Sequence, residues 1–373
     1  MPSVATDTNL YLCVDAGGTA VKCVVTNERG EMGSAIGGPC NVKSVGAEAA
    51  LRNILKTSFA ALQDLPEPLL IPVNRVDPEP LHLELFERVW LGIAGILRQS
   101  EIDAFRPLAS KAFGFDLDDE RLRITNDGHL LAAPAVSLAH IESTVVLVAG
   151  TGSVSLAFKK VGTDLKLVGL SGGWGFLIGD EGSAFCVGKL AMRRLMLAAD
   201  AAQSQSLRIS SASPTTTPIL PIFTSLLERL DVSDPSEMID KIYSDHSISS
   251  PSTFSAAETQ RKLWIADCSR VVFRYAFEDD SVDETSQKIA LSILEEAIEP
   301  LVDATLRLLD GDLDSTKSSL SLGGGLWNSD GYRDMLLKKL RDKRVEFSHV
   351  AVVKSAAEEG AKALLALDKN QIA

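Results

Sequence analysis

The chain of 373 residues is acidic, with 37 basic against 50 acidic residues and a formal net charge of −13. This balance argues against a nucleic-acid-binding protein, which normally carries a basic stripe, and against docking on an anionic membrane surface. We therefore expect neither nucleic acid nor membrane among its partners. At roughly 100–200 residues per domain, a chain of this length predicts two domains.

The first residues and the cysteines favour a cytoplasmic protein. The opening sequence MPSVATDTNL has no Lys or Arg and no long apolar run, so a signal peptide is not predicted. No apolar stretch of the sequence approaches the length of a membrane span. The five cysteines are scattered, without a CxxC pair, and are expected to be reduced thiols.

The same order of predicted strands and helices occurs twice along the chain. Residues 9–38 predict three strands joined by tight turns and ending in a Gly pair, and residues 143–173 repeat this order. Each meander is followed by alternating helices and strands, the second one after a mostly helical insertion at about 184–310. Each half thus reads β-β-β-α-β-α-β-α. We predict an α/β protein with two domains, residues 1–136 and 137–373, that face each other across a cleft.

Three segments are rich in Pro, Ser or Thr. They comprise residues 64–80, 204–221 and 244–255. Such composition predicts surface loops rather than core elements.

Two hairpin turns place small residues at strand-to-strand corners: DAGGT at residues 15–19 and AGTGS at residues 149–153. Bare backbone N–H groups with a Thr or Ser hydroxyl form a concavity suited to phosphate oxygens. One such turn alone is usually structural, because Gly-rich hairpins are common without ligands. Two turns at equivalent places in duplicated halves predict a grip on one polyphosphate from both sides. Neither the P-loop pattern nor a strand–GxGxxG–helix pattern occurs.

Two aspartates end predicted strands. Asp15 follows a buried apolar strand, where a carboxylate is costly unless paired, and a magnesium ion beside the phosphates would supply the partner. The alternative is an Asp that only bonds the N–H groups of the turn. Asp127, in RITND, is predicted either to cap the apolar helix that follows or to accept a hydroxyl proton during phosphoryl transfer.

The motifs DAGGT, AGTGS, GGWGFLIGDEGS and LGGGLWNSDGY, in this order and spacing, resemble the sugar-kinase/Hsp70/actin ATPase superfold. Within it they are most similar to the BadF/BadG/BcrA/BcrD ATPase family, and in that family to the eukaryotic N-acetylglucosamine kinases. The resemblance covers about residues 10–368. It implies two ribonuclease-H-like domains, each βββαβαβα, around a nucleotide cleft, with ATP and Mg²⁺ as cofactors and a homodimeric assembly.

The resemblance also assigns roles to residues. It implies a catalytic base at Asp127, acting on the sugar 6-hydroxyl, and a magnesium ligand at Asp15. The implied nucleotide contacts are Gly17, Gly18, Thr19, Gly150, Thr151, Gly152, Ala257, Gly323 and Gly324. The implied sugar contacts are Asn41, Gly173, Trp174, Gly175 and Asp180. From the residue chemistry alone, a Trp174 packed into the core is as reasonable as one stacked on a sugar, and Glu181 has no assigned role beyond holding its loop.

The implied reaction is ATP-dependent phosphorylation of an amino sugar at its 6-hydroxyl, with N-acetyl-D-glucosamine as the first candidate and glucosamine as the alternative. The chain departs from the eukaryotic pattern at Cys40-Asn41-Val42, where the relatives tend to have Thr-Asn before an aromatic residue or His. A competing class is the BadF-type ATPase activator, which holds an iron–sulfur cluster between subunits through cysteines. No Cys precedes the second phosphate loop, VVLVAGTGS, so an iron–sulfur cluster would lack its cysteine ligand there. A catalytically silent sugar sensor ranks last, because Asp127 is intact.

Overall fold

The computed structural model describes residues 9–66, 83–96, 98–162, 164–208, 219–243, 251–279, 281–310 and 313–372. Most of the predicted Pro-rich loop at 64–80, and residues 209–218 and 244–250 of the other two predicted loops, lie outside the described residues.

The first sheet has five strands and begins with the predicted meander. Its strands are β1 (Leu10–Ala16), β2 (Val21–Asn27), β3 (Met32–Gly37), β4 (Arg88–Ile93) and β5 (Leu122–Thr125). They lie in the order β3-β2-β1-β4-β5. The meander pairs are antiparallel, whereas β4 runs parallel to both β1 and β5. The near-continuous apolar run of β1 is typical of a strand covered on both faces.

The second sheet repeats this arrangement. Its strands are β6 (Ser143–Ala149), β7 (Ser153–Val161), β8 (Asp164–Gly172), β9 (Ser318–Gly323) and β10 (His349–Val353). The order is β10-β9-β6-β7-β8, which is the order of the first sheet when corresponding strands are compared. The predicted duplication of an α/β unit is therefore confirmed.

Helices connect the strands in both halves. The described α-helices are α1 (Val42–Val45), α2 (Ala47–Gln63), α3 (Gln99–Phe113), α4 (Ala184–Arg208), α5 (Pro221–Leu230), α6 (Pro235–Tyr243), α7 (Pro251–Asp267), α8 (Ser269–Phe273), α9 (Glu284–Leu309), α10 (Asp330–Asp342) and α11 (Ala356–Ile372). A π-helical turn covers Arg274–Glu278, and 3-10 helices cover Asp127–Ala135, Ser315–Lys317 and Gly325–Asn328. The described helices α4 to α9 lie within the predicted insertion at about 184–310.

Two of the loop predictions are wrong where the structure describes them. Residues 204–208 continue α4, because Gln, Leu and Arg are good helix formers despite the neighbouring serines. Residues 251–255 begin α7 at Pro251, a position where proline is favoured because its missing N–H would have no intrahelical partner.

The chain divides into two compact units. The first comprises residues 1–144, 158–167 and 353–373, and the second comprises 145–157 and 168–352. The C-terminal helix α11 thus belongs to the first unit, although the sequence-based division placed it with the second half. The predicted boundary between residues 136 and 137 stays a prediction.

The two faces of the first sheet bury different partners. One face of β1, with Leu12 and Val14, packs into a core with the apolar sides of α2 and α3. The other face, with Tyr11 and Cys13, packs against α11 and the 3-10 helix at Asp127–Ala135. A Cβ on Gly360 would overlap the Cys13 sulfur, so glycine there allows α11 to approach β1 closely. Because side chains alternate along a strand, the Asp15 side chain lies on the same face of the sheet as those of Tyr11 and Cys13, the face that α11 covers.

The core of the second unit joins β6 and β9 to helices of the insertion. Helix α4 approaches α7 most closely at Gly188, where a Cβ would overlap the backbone carbonyl oxygen of Ile265. Backbone cannot yield as a flexible side chain can, so this helix pair requires glycine at that position.

We predict that Gly188→Ala destabilises the second unit. Overpacking in a well-packed interior costs about 1–3 kcal/mol or more, against about 1 kcal/mol that alanine gains over glycine in a helix. The midpoint and slope of urea unfolding of the full chain measure the effect. The control is Gly325→Ala, whose Cβ would meet nothing within 4 Å. A Gly188→Ala protein as stable as Gly325→Ala would contradict the packing described here.

Candidate active site

Asp15 lies near the end of β1, between Lys22 of β2 and Gly92 of β4. Its partial burial raises the pKa of its carboxyl group to about 6, and the Asp127 carboxylate adds to the rise while Lys22 opposes it. The Lys22 ammonium is itself held by α11, since its Nζ lies 2.8 Å from Glu358 Oε1. Asp15 therefore carries a charge that its surroundings compensate incompletely.

Asp127 opens the 3-10 helix that follows β5. The capping role belongs to its neighbour, because Asn126 Oδ1 accepts a hydrogen bond from the Gly128 N–H at 3.0 Å. The Asp127 carboxylate accepts from the same N–H at 3.1 Å, and burial raises the pKa of Asp127. The predicted helix is thus present, but its cap is Asn126 rather than Asp127, which leaves most of the Asp127 carboxylate for another role.

Gly92 brings the two aspartates together. A Cβ at this position would lie 2.5 Å from Leu130 Cδ1 and 3.3 Å from the Asp127 Cα. The 3-10 helix therefore rests directly on β4, at the residue that pairs with Asp15. Asp15 and Asp127 form an acidic pair at the ends of β1 and β5, the two strands that flank β4.

The first hairpin loop follows Asp15 directly. The Gly17 N–H donates to the Ala20 carbonyl at 3.0 Å, which closes a tight turn that leaves Gly18 and Thr19 exposed. Gly18 has no left-handed φ, and a Cβ there would meet nothing within 4 Å. Neither the local backbone nor the described packing requires glycine, so the small residue fits the predicted close approach of a ligand.

Asn41 lies beside this loop, because the preceding N–H, that of Cys40, donates to the Gly17 carbonyl at 3.0 Å. The Asn41 side-chain oxygen caps α1 through the Lys43 N–H at 3.0 Å. A Cβ on Gly95, in the turn after β4, would lie 2.6 Å from this oxygen. The Asn41 Nδ2 makes no hydrogen bond to the described residues, so the predicted sugar contact retains a donor.

Asn126 is a second amide near the turn after β4, and it was not predicted as a site residue. Its Nδ2 donates to the Ile96 carbonyl at 3.0 Å while its oxygen caps the helix of Asp127. This side chain therefore fixes the start of that helix relative to the turn after β4.

In the second unit, Asp180 supports the second hairpin loop. Its backbone adopts a left-handed φ of 60°, and its side chain is only 5% exposed. The carboxylate accepts from the Ser153 N–H at 3.2 Å, and a Cβ on Gly152 would lie 2.6 Å from Asp180 Oδ2. The loop itself is closed by the Gly150 N–H, which donates to the Gly152 carbonyl at 2.9 Å. Thr151, at its tip, is exposed.

Lys262 of α7 completes the surroundings of Asp180. Its Nζ lies 3.0 Å from Asp180 Oδ2 and 5.4 Å from the centroid of the Phe176 ring. Sequence reasoning missed Lys262 and instead chose Ala257 on the same helix, whose side chain lies outside the described residues. Both oxygens of Asp180 thus meet donors of the protein, and its predicted contact with a sugar stays a prediction.

The loop after β9 packs against the second hairpin loop. Gly324 has a φ of 100°, and a Cβ there would lie 2.5 Å from the Ala149 carbonyl oxygen. Gly323, the last residue of β9, is buried, whereas a Cβ on Gly150 or Gly325 would meet nothing within 4 Å. Gly325 was not predicted as a site residue. As at Gly150, the described packing does not require glycine at this position.

The GGWG segment follows β8 and stays near the second hairpin loop, since the Gly173 N–H donates to the Ser153 carbonyl at 3.2 Å. Gly173 and Gly175 both have positive φ angles. Trp174 is 66% exposed, which excludes the alternative of a Trp packed in the core. Glu181 holds the loop, because its carbonyl accepts from the Ser153 hydroxyl at 2.6 Å.

The described residues contain no cluster of three or more His, Cys, Asp or Glu side chains that could hold a metal ion. Magnesium, however, is commonly bound through one or two carboxylates together with phosphate oxygens and waters. The pair Asp15 and Asp127, with its incompletely compensated charge, fits that kind of site. None of the helices in the described ranges is long and apolar enough to span a membrane.

The chain is similar to known proteins along most of its length. The sequence profile of the BadF/BadG/BcrA/BcrD ATPase family matches residues 12–366. A protein of Dictyostelium discoideum named N-acetyl-D-glucosamine kinase is 22% identical over 334 residues, which cover 89% of this chain and 90% of the relative.

Two solved structures share the fold, and both carry a provisional name as N-acetylglucosamine kinases. The protein from Chromobacterium violaceum is 21% identical with a TM-score of 0.56, over 95% of this chain and 99% of its own. The protein from Porphyromonas gingivalis is 15% identical with a TM-score of 0.56, over 96% of this chain and 98% of its own. With the family profile covering nearly the whole sequence, this chain belongs to the BadF/BadG/BcrA/BcrD ATPase family.

Proposed function

We propose that this protein is an ATP-dependent sugar kinase that transfers the γ-phosphoryl group to the 6-hydroxyl of N-acetyl-D-glucosamine. The observation that carries the proposal is the acidic pair Asp15 and Asp127 beside an exposed Gly-rich hairpin loop. Membership of an ATPase family and a relative named N-acetyl-D-glucosamine kinase support it.

Asp127 is the proposed catalytic base. Phosphoryl transfer passes through a loose transition state, so a base mainly orients the attacking hydroxyl and receives its proton late. Burial raises the pKa of Asp127, which makes its carboxylate a stronger base than an exposed aspartate. Its Oδ1 is oriented by the Gly128 N–H, and the Asn126 side chain also hydrogen-bonds to the carboxylate.

Asp15 is the proposed holder of Mg²⁺. A bound Mg²⁺ would neutralise charge on the β- and γ-phosphate oxygens. The burial that raises the Asp15 pKa to about 6 favours a cation beside this carboxylate. Lys22 lies next to Asp15, but Glu358 and Ser355 hold its ammonium at 2.8 and 2.9 Å.

Both hairpin loops are proposed phosphate contacts. In the first unit, Gly18 and Thr19 offer backbone N–H groups and a hydroxyl at an exposed corner. In the second unit, Gly150 and Thr151 offer the same groups on a loop fixed from beneath by Asp180. The loop at Gly323 and Gly324, which packs on the second hairpin, is the proposed contact for adenosine, and Ala257 is a further proposed contact.

Asn41, Gly173, Trp174, Gly175 and Asp180 are the proposed sugar contacts. The Asn41 amide nitrogen can donate to a sugar oxygen. The exposed Trp174 ring offers an apolar face to a pyranose. Asp180 can contribute through the oxygen that Lys262 now holds at 3.0 Å.

Two other functions compete with this one. Glucosamine carries an ammonium in place of the acetamido group, and a panel of acceptor sugars separates the two substrates. A BadF-type activator would need cysteines able to bridge a cluster between subunits, and all five cysteines of this chain are buried. The kinase therefore has the stronger support. A homodimer is also proposed on the family resemblance, and a cytoplasmic location on the scattered, reduced cysteines.

Replacing the proposed base tests the proposal. Asp127→Asn removes the proton acceptor with little change in shape, so turnover should fall by about 10²–10⁴-fold, the usual contribution of a positioned base. ADP release with N-acetylglucosamine measures turnover, and calorimetry measures ATP affinity, which should stay near that of the wild type. The matched control is Asp103→Asn, which removes the same charge on the exposed side of α3. Full turnover in Asp127→Asn would remove this residue from the chemistry.

The raised pKa of Asp15 predicts a pH-dependent cost of folding. The folded carboxyl group, with a pKa of about 6 against 3.8 for an ordinary aspartate, binds a proton more readily than the unfolded one. The stability of the metal-free protein should therefore fall as the pH rises between these values, with the full cost present above about pH 6.

Asp15→Asn should remove that cost. We expect the metal-free variant to be more stable than the wild type by about 1–3 kcal/mol near pH 7, with no gain near pH 3.5. Urea unfolding at the two pH values measures this. Added Mg²⁺ with ADP should stabilise the wild type more than Asp15→Asn. If the substitution is destabilising near neutral pH, Asp15 is a structural aspartate.

A further inference from the structure

A cavity of about 540 Å³ opens beside β5, the edge strand of the first sheet. Side chains of β4, β5, α3 and the start of β8 line it, and all of these lining residues belong to the first unit. Its volume lies within the range of about 300–1,000 Å³ that is typical of sites for small molecules. The described lining residues include neither Asp15 nor Asp127.

The lining of this cavity is basic in an acidic protein. Five basic side chains face two acidic ones, Glu120 and Asp164, although the whole chain carries a net charge of −13. The basic side chains are Arg88, Arg106, Arg121, Arg123 and Lys166. A concave site lined by one sign of charge concentrates ligands of the opposite sign, so the cavity favours an anion.

Arg123 is held in place within the cavity. Its guanidinium carbon lies 4.9 Å from the centre of the Trp90 ring, and Trp90 is fixed by a hydrogen bond from its Nε1 to Thr125 Oγ1 at 2.9 Å. Arg123 Nη2 also contacts Asp164 Oδ1 at 2.5 Å. The Arg123 side chain is 15% exposed, whereas Asp164 is 71% exposed. A preformed guanidinium is therefore paired with a carboxylate at the surface, which an incoming anion can displace.

The positive charges around Arg123 oppose one another. Burial lowers the pKa of Arg123, and the charge of Arg88 lowers it further while Asp164 raises it. Arg88, which is 14% exposed, has Asp368 as a distant counterion, with 3.7 Å between its Nε and Asp368 Oδ1. An anion in the cavity would relieve this repulsion between two largely buried guanidinium groups.

His129 adds a fixed aromatic ring to the lining. The ring lies edge-on against Phe158, with 4.7 Å between the two ring centres. The cavity wall at this position is therefore preformed.

We propose that this cavity binds a small phosphorylated molecule, at a site separate from the acidic pair. Guanidinium groups present paired N–H donors that match phosphate oxygens, and a lysine ammonium at the rim adds a point charge. Lys166 is exposed and makes no ion pair with the described residues. The site does not depend on the kinase assignment, because its lining residues take no part in the proposed reaction.

Isothermal titration calorimetry of the full chain tests the site, with glucose 6-phosphate and inorganic phosphate as probes and glucose as the neutral control. Both phosphates should bind, and the affinity for glucose 6-phosphate should change when residues that line the cavity are replaced. Arg123→Gln should weaken this binding by about tenfold or more, since hydrogen bonds to charged groups are worth about 1.5–3 kcal/mol. Lys166 is exposed, so Lys166→Gln should leave folding intact. This substitution should weaken glucose 6-phosphate binding by about two- to fivefold.

The most decisive variant is Asp164→Asn. It removes the carboxylate that competes with a phosphate for Arg123, and it should tighten phosphate binding by about two- to tenfold. The matched control is Arg194→Gln, which removes an exposed arginine of the second unit and should leave the affinity unchanged. Equal affinity for glucose 6-phosphate in the wild type, Arg123→Gln, Lys166→Gln and Asp164→Asn would overturn the proposal, as would the absence of any phosphate binding. If only inorganic phosphate binds and responds to these substitutions, the site takes the free anion and a phosphorylated sugar is excluded.

Discussion

The partial burial of two carboxylates at the ends of β1 and β5 is the constraint on which the proposed site of the first unit depends. Asp15 and Asp127 both lie next to Gly92, and burial raises the pKa of each. Such a pair costs folding energy unless a cation or a proton joins it. Because Glu358 holds the ammonium of Lys22, which pairs with Asp15 across β1 and β2, the acidic pair stays short of positive charge.

The second unit uses a carboxylate in the opposite way. Asp180 is buried but meets the Ser153 N–H and the Lys262 ammonium, so its charge is compensated and serves to shape the second hairpin loop. The close contact of α4 and α7 at Gly188 places α7, and with it Lys262, beside that loop. Asp180 thus supports a loop, whereas Asp15 and Asp127 of the first unit can still take up a cation or a proton.

Much of this could be predicted from the sequence because it depends on local pattern. The alternation of apolar residues and the Gly turns predicted both meanders. The repeated order of elements predicted two similar α/β halves, and the two sheets have the same strand order. Contacts between residues distant in sequence could not be predicted. Lys262 lies 82 residues from Asp180, and no spacing rule links them. The cap at Asn126 was also missed, because Asn and Asp cap helices equally well and only geometry chooses between neighbours.

The central claim is that the acidic pair serves phosphoryl transfer to the 6-hydroxyl of an amino sugar. The most direct measurement is phosphorus NMR of the product formed from ATP and N-acetylglucosamine, with glucosamine, N-acetylmannosamine and glucose in parallel. The account predicts a phosphomonoester signal coupled to the two protons on carbon 6, formed fastest from N-acetylglucosamine. ATP hydrolysis to free phosphate without any sugar ester, or a phosphate on another hydroxyl, would contradict it.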